Sequence, residues 1–125
     1  MLEQGDVCPF CGKVEAVIER ELVFARWDRY PVTRGHMLLI PRRHVTSYFD
    51  CTEAEKAALW ALAEEAVRWL ATAHSPDGYN VGFNVGAAAG QTVDHAHIHL
   101  IPRYRGEGPV YRGGVRGVIP DKQSY

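Results

Sequence analysis

The most regular pattern of apolar and polar positions runs from Thr52 to Ala73. Leu59, Leu62, Ala63, Ala66, Trp69, Leu70 and Ala73 recur at the three- and four-residue spacing that gathers side chains on one helical face. Glu64, Glu65 and Arg68 fall on the other face. Thr52 followed by Glu55 is a capping box, in which hydroxyl and carboxylate each satisfy an orphan amide at a helix start. Ser75, Pro76, Asp77 and Gly78 end the pattern. The prediction is one amphipathic helix of about five or six turns, packed by one side.

Around this helix the period shortens to two. Ala16 to Arg20 and Leu22 to Trp27 predict a hairpin, although no tight-turn dipeptide joins them. His36 to Ile40 is apolar and bounded by Gly35 and Pro41, Tyr79 to Val85 alternates, and His95 to Ile101 alternates strictly. Several strands around one long helix, without a β-α-β rhythm, predict an α+β fold with a mainly antiparallel sheet. After Pro102 comes a Gly- and Arg-rich tail with little periodicity, and there is no internal repeat or interdomain linker.

Composition narrows the class. With 125 residues, 46% hydrophobic and 23% charged, the chain is expected to fold as a single domain, 1–125, with one core and no need of disulfides. A net charge of −1 supplies no global field for nucleic acid or an anionic membrane. No apolar stretch reaches the ~20 residues of a membrane span, and no basic region followed by an apolar run marks a secretion signal. The expectation is a soluble, cytoplasmic protein that binds neither nucleic acid nor membrane. Three cysteines are an odd number for a disulfide scaffold, so Cys8 and Cys11 read as a metal-ligating pair.

The chemistry concentrates late in the chain. His95, His97 and His99 stand at i, i+2 and i+4, which on a strand is a single face, with Ala96, Ile98 and Leu100 turned to the core. Three imidazoles side by side titrate near neutrality and repel once protonated, which points to metal ligation or to nucleophilic and acid/base catalysis. Upstream, Asn84 to Thr92 leaves a strand through a Gly- and Ala-rich loop whose backbone amides can approach an anion.

These residues resemble a known family. Gly90 to Arg103, G-Q-T-V-D-H-A-H-I-H-L-I-P-R, resembles the His-φ-His-φ-His-φ-φ motif of the histidine triad (HIT) family, and Gly35 to Val45 resembles that family's G-H-x-L-φ-φ-P-x-x-H segment. The likeness covers about residues 6 to 104, and the tail, 105–125, resembles that of bacterial members that hydrolyse dinucleoside polyphosphates. It implies the HIT-like fold, a homodimer, and an enzyme attacking the α-phosphate of a purine nucleotide, for example in diadenosine tetraphosphate. By motif position His97 is the nucleophile, His99 binds phosphate oxygens and aids the leaving group, and His36 supports the triad's hydrogen bonds. Asn84, Gln91 and Thr92 match phosphate-holding positions and Asp28 the position that grips the ribose. The base is expected near Phe10, Phe24 and Ile40. Family members with a CxxC pair, and the related galactose-1-phosphate uridylyltransferases, imply a structural zinc held by Cys8, Cys11, His44 and His95, with no catalytic metal.

Alternatives stand beside this reading. Within the family they are adenosine phosphoramidase and nucleotidyltransferase activity, although the chain ends without the tryptophan of the phosphoramidase branch. Outside it they are a non-catalytic nucleotide-binding scaffold and a hydrolase using all three triad histidines as metal ligands. Arg42 and Arg43 read either as phosphate-steering or as plain surface residues, and Arg112 and Arg116 either as distal-phosphate contacts or as docking residues. Cys51 reads as a small buried residue, and His74 as a helix-end residue in solvent.

Overall fold

The computed structural model describes residues 8–12, 15–108 and 112–125. Five strands, β1 (Ile18–Glu19), β2 (Val23–Trp27), β3 (Met37–Pro41), β4 (Gly78–Gly82) and β5 (Ile98–Arg103), form one sheet in the order β1-β2-β3-β5-β4. Every pairing is antiparallel. The one long helix, α1 (Glu53–His74), lies against β2 and β3. The architecture is the α+β arrangement that the pattern predicts.

Local chemistry accounts for these boundaries. Thr52 caps α1 with its hydroxyl on the Glu55 amide, and Glu55 returns its carboxylate to the Thr52 amide at 2.8 Å. Arg43 adds a two-pronged contact to the same carboxylate at 2.8 and 3.1 Å and holds the Glu55 carboxyl below the usual range. At the other end Ser75, not a glycine, takes the left-handed conformation with φ of 50°. The β1–β2 hairpin closes through Arg20 N–H donating to Val23 O at 2.9 Å.

The helix buries Leu59, Leu62, Ala66 and Leu70 against Val23, Ala25, Met37, Leu39, Ile98 and Leu100. Burying each leucine is worth about 2 kcal/mol, so this layer dominates the fold's stability. The buried stripe is narrower than the apolar pattern: Ala73 is exposed and Trp69 keeps 40% of its surface, stacking edge-on against Trp27 with ring centroids 5.4 Å apart. Cys51 is buried beneath the helix start. His74 is half-buried beside both tryptophans.

Three strands differ from expectation: β1 keeps only Ile18–Glu19 of the stretch from Ala16 to Arg20. β4 stops at Gly82, three residues early, because its last partner is His99. β5 begins at Ile98 instead of His95. Ahead of Ile98 the chain peels away from β3, with Ala96 N–H donating to Val45 O at 2.7 Å. His95 therefore leaves the face that the alternation assigns to it.

Gly35 fixes the entry to β3. Its φ is +81°, and a Cβ there would sit 2.9 Å from Leu70 Cδ2. Only glycine meets both conditions, and the next residue is His36.

Candidate functional site

Strand parity builds the site. Odd-numbered residues of β2 and β3 meet the helix, so Arg26, Asp28, His36 and Leu38 emerge on the opposite face. Leu38 pairs with Arg26 on one side and His99 on the other, placing a row across three strands. On this face lies a cavity of about 460 Å³, walled by these five residues, His97, Phe10, Val93 and the loop residues Asn84, Gly90 and Thr92. Of the residues expected to act on phosphate or ribose, His36, His97, His99, Asp28, Asn84 and Thr92 line it and Gln91 does not.

Hydrogen bonds fix which nitrogen of each imidazole is available. His97 Nδ1 is 2.8 Å from the carbonyl of His95, an acceptor only, so Nδ1 carries the proton and Nε2 keeps its lone pair. Burial lowers the His97 pKa, opposed by that backbone bond and the charge of Asp28, which keeps the ring neutral and nucleophilic. His36 Nδ1 accepts from Val32 N–H at 3.2 Å, so its proton is on Nε2, 3.0 Å from His99 Nδ1 and 3.3 Å from Asp28 Oδ2. His99 Nδ1 then accepts, and the remaining His99 proton sits on Nε2. Burial, followed by the neighbouring His97 and His36, pushes the His99 pKa down to about 4, while burial also lowers that of His36. Asp28, His36 and His99 lie close enough to surround a cation, but the committed His36 nitrogens leave no lone pair for one.

The glycine-rich loop is held from outside the cavity. Gly86 and Gly90 take φ of 90° and 91° around a short turn, Ala87–Ala89. Gln91 pins this loop: its Oε1 accepts from Gly86 N–H at 2.9 Å, and its Nε2 donates to Thr46 O at 2.7 Å and Val93 O at 3.0 Å.

Beside the cavity, Cys8, Cys11, His44 and His95 converge, each offering one ligand atom within 4.8 Å of the others. His95 Nε2 donates to Pro41 O at 2.7 Å, which leaves Nδ1 aimed at Cys8 Sγ, 3.3 Å away, and Cys11 Sγ, 3.5 Å away. His44 Nδ1 is 3.0 Å from Cys11 Sγ, and its buried Nε2 has no partner among the described residues. Tetrahedral zinc, bonded at ~2.3 Å to sulfur and ~2.0 Å to nitrogen, separates neighbouring donors by about 3.5 Å. The four residues therefore fit a Cys2His2 ion in size, donor type and lone-pair direction. Burial and then the Cys8 sulfur push the Cys11 thiol up to about 11, and a dication between the sulfurs favours the thiolates instead. The three triad histidines, in contrast, do not converge: His95 joins the sulfurs, and His36 takes its place beside His99.

The remaining candidate residues divide between the cavity wall and the surface. Phe10 lines the cavity and meets the His97 ring edge-on at 5.1 Å, whereas Phe24 and Ile40 are fully buried behind it. Arg42 bonds Arg20 O and Glu19, and Arg43 serves the helix cap, so neither faces the cavity. Arg112 and Arg116 lie over the Tyr125 ring at 4.8 and 4.9 Å, outside the cavity lining. Sequence reasoning missed Arg26, a buried cation in the lining. Its signal was a lone arginine inside the apolar run Val23–Trp27.

The HIT domain family matches residues 13–106. The chain belongs to the HIT family. Relatives include an AP-4-A phosphorylase of Mycobacterium tuberculosis, 37% identical over 92 residues, covering 73% of this chain and 47% of that protein. Another is a bifunctional bis(5'-adenosyl)-triphosphatase/adenylylsulfatase of Arabidopsis thaliana, 36% identical over 86 residues, covering 69% of this chain and 48% of that protein. The HIT chain thus spans about half the length of these two relatives. Among solved structures, a zinc-bound histidine triad family protein from Mycobacterium smegmatis superposes with a TM-score of 0.75 at 32% identity, over 86% of this chain and 83% of that one. Among the described residues no helix is long and apolar enough to cross a membrane.

Proposed function

We propose that this chain is a nucleotidyl hydrolase that attacks the α-phosphate of a purine nucleotide, with a dinucleoside polyphosphate such as diadenosine tetraphosphate as substrate. The observation that carries the reading is the His97 Nδ1 contact with the His95 carbonyl, which commits one nitrogen and leaves Nε2 as an unprotonated nucleophile in the cavity wall. Supporting the substrate class are the two relatives whose names specify an AP-4-A phosphorylase and a bis(5'-adenosyl)-triphosphatase.

In this mechanism Asp28 accepts from the ribose hydroxyls while Asn84 and Thr92 hold the phosphate. His97 Nε2 forms a bond to phosphorus, and the bond from phosphorus to the bridging oxygen breaks. His99 Nε2–H donates a hydrogen bond to that oxygen as negative charge develops on it, and the polyphosphate leaves as its anion. Water then adds to the phosphorus of the His97–nucleotidyl intermediate, the bond from phosphorus to His97 Nε2 breaks, and the mononucleotide, neutral His97 and a proton to solvent are released. Cys8, Cys11, His44 and His95 would hold a zinc ion that fastens the N-terminal turn to the segment before β5. That ion supplies folding energy and has no part in these steps.

The test is product analysis with diadenosine tetraphosphate, wild type beside His97→Ala. Release of AMP by the wild type and its loss in the variant are the expected results. No cleavage by either protein, followed by turnover of adenosine phosphoramidates, moves the assignment to the phosphoramidase branch.

The chain is also proposed to act as a homodimer. Strand β4 is an edge of the sheet, contacted by the turn Gly114–Val118, and beside it a shallow groove of about 510 Å³ lined by Trp60, Glu64, Val67, Arg68 and Val81 lies between α1 and the sheet. Sedimentation is expected to give a dimer in the wild type and a monomer in Val81→Arg, because a long charged side chain at that edge blocks close packing of a second copy.

A further inference from the structure

Arg26 is an unusual residue for its position. It sits in the middle of β2 with 7% of its surface exposed, yet it has no carboxylate in ion-pair range among the described residues. Two of its five N–H groups are engaged by neutral carbonyls, Nη1 with Pro9 O at 3.0 Å and Nε with Trp27 O at 3.4 Å. Nη2 makes no hydrogen bond within the described residues, and the side chain lines the cavity. Nη2 is not sealed from solvent, so a cation with free donors in a cavity wall is placed to meet a ligand that brings acceptors.

Position says which part of the ligand that is. On the nucleotide reading above, on which this inference rests, the phosphate meets His97 and His99 and the ribose meets Asp28. Arg29, Tyr30 and Val32 also line the cavity, but they follow Asp28 in the chain and are not buried, at the ribose end. The lining left over for the base is Pro9, Phe10, Leu38, Val93 and Arg26. The first four offer apolar surface or a ring, and Arg26 is the buried charged donor beside them, two strands from His99 in the same row. Arginine donors match the paired acceptors O6 and N7 of guanine or hypoxanthine, whereas adenine presents N7 beside an amino group that is itself a donor.

We propose that Arg26 makes the base end of this cavity prefer a 6-oxopurine, guanine or hypoxanthine, over adenine, so that adenine dinucleotides are accepted with the lower affinity of the two purine classes. The guanidinium is held in place by the Pro9 carbonyl, so its direction is set before the ligand arrives, and Phe10 in the same turn supplies the apolar wall beneath it, 5.7 Å from the cation.

Calorimetric titration with IMP, GMP and AMP tests this, because IMP and AMP differ mainly in the group at C6. The wild type is expected to bind IMP and GMP about tenfold more tightly than AMP, the scale of base discrimination by a well-placed arginine. Arg26→Met keeps the length and bulk of the side chain, and its IMP-to-AMP ratio is expected to collapse toward one. A wild-type ratio near one, or a preference for AMP, overturns the proposal while leaving the nucleotide site intact. So does an unchanged ratio in Arg26→Met, which would make the residue only a clamp on the Cys8–Cys11 turn. Failure of the wild type to bind any of the three removes the nucleotide reading as well. Should Arg26→Met not fold, the wild-type ratio alone decides for or against the 6-oxopurine.

Discussion

Two histidines two residues apart, His95 and His97, show how one side chain serves two chemistries. Each commits one ring nitrogen to a backbone carbonyl, but they commit opposite ones. His95 gives its Nε2 proton to Pro41 O and turns Nδ1 toward two sulfurs. His97 gives its Nδ1 proton to the His95 carbonyl and presents Nε2 at the cavity. The choice of nitrogen, made by a carbonyl and not by the imidazole, separates the proposed metal ligand from the proposed nucleophile. The two are also mechanically joined, since the residue that orients His97 is itself a member of the Cys8, Cys11, His44 and His95 cluster. Phe10 reinforces the joint by packing edge-on against both rings, at 5.8 and 5.1 Å.

The largest effect expected from breaking this pair is on turnover. His97→Ala removes the nucleophile and is expected to lower kcat by roughly four orders of magnitude or more with metal content unchanged, read by product release and elemental analysis. His95→Ala is expected to lose both metal and activity. If His95→Ala keeps full activity, the coupling between the two sites is wrong.

Next in size is the metal side taken alone. Cys11→Ser weakens one corner of the tetrahedron, and the expected outcome is loss of bound zinc with a Tm lower by about 10 °C in thermal melts. Because Pro9 and Phe10 of the same turn wall the cavity, KM for a nucleotide should rise more than kcat falls. A variant with wild-type Tm and zinc content would exclude Cys11 as a ligand.

Much of this was legible in the sequence, for reasons that differ by element. Helix α1 declared itself because capping and period agree; of the two residues it over-assigned to the buried face, Ala73 and Trp69, the latter is drawn aside by a neighbour in space that no helical period encodes, Trp27. The metal quartet assembles as the motif resemblance implies, because its members are punctuated by Pro9, Pro41 and the bend before β5, all local features. The placement of His95 on the strand face went astray because alternation gives parity but not the point where a strand leaves its neighbour. Gln91 was assigned by motif to the phosphate, and its actual contacts depend on Thr46, far away in the chain. Arg26 was passed over since a buried charge makes sense only beside a cavity, and cavities are made by tertiary packing.

A smaller effect is expected outside the cavity. Gln91→Leu keeps the bulk of the side chain but removes three hydrogen bonds that shape the Gly86–Gly90 loop. Each is worth about 1 kcal/mol, part of which falls on the loop amides' fit to phosphate. About a tenfold rise in KM, with kcat little changed, is the outcome that separates a loop pin from a direct ligand of phosphate. A direct ligand would instead lower kcat.

The smallest and most graded effect is in pH. His99 titrates near 4 in the folded chain against an ordinary value near 6.5, chiefly because burial disfavours its charged form, and His36 is lowered for the same first reason. The unfolded chain therefore takes up protons in this window that the folded chain refuses. Stability from these rings is complete above about pH 6.5, falls as pH drops toward about 4, and levels off below it. Replacing His99 by Asn removes one such group, so the fall in urea midpoint between pH 7 and pH 5 should be shallower in His99→Asn than in the wild type. Acid release of a bound metal affects both proteins alike and cancels in the difference. Equal slopes would mean that His99 titrates at its ordinary value in the folded chain. A ring charged that readily could not keep Nδ1 as an acceptor, and the relay from Val32 through His36 to the cavity would lose its middle bond.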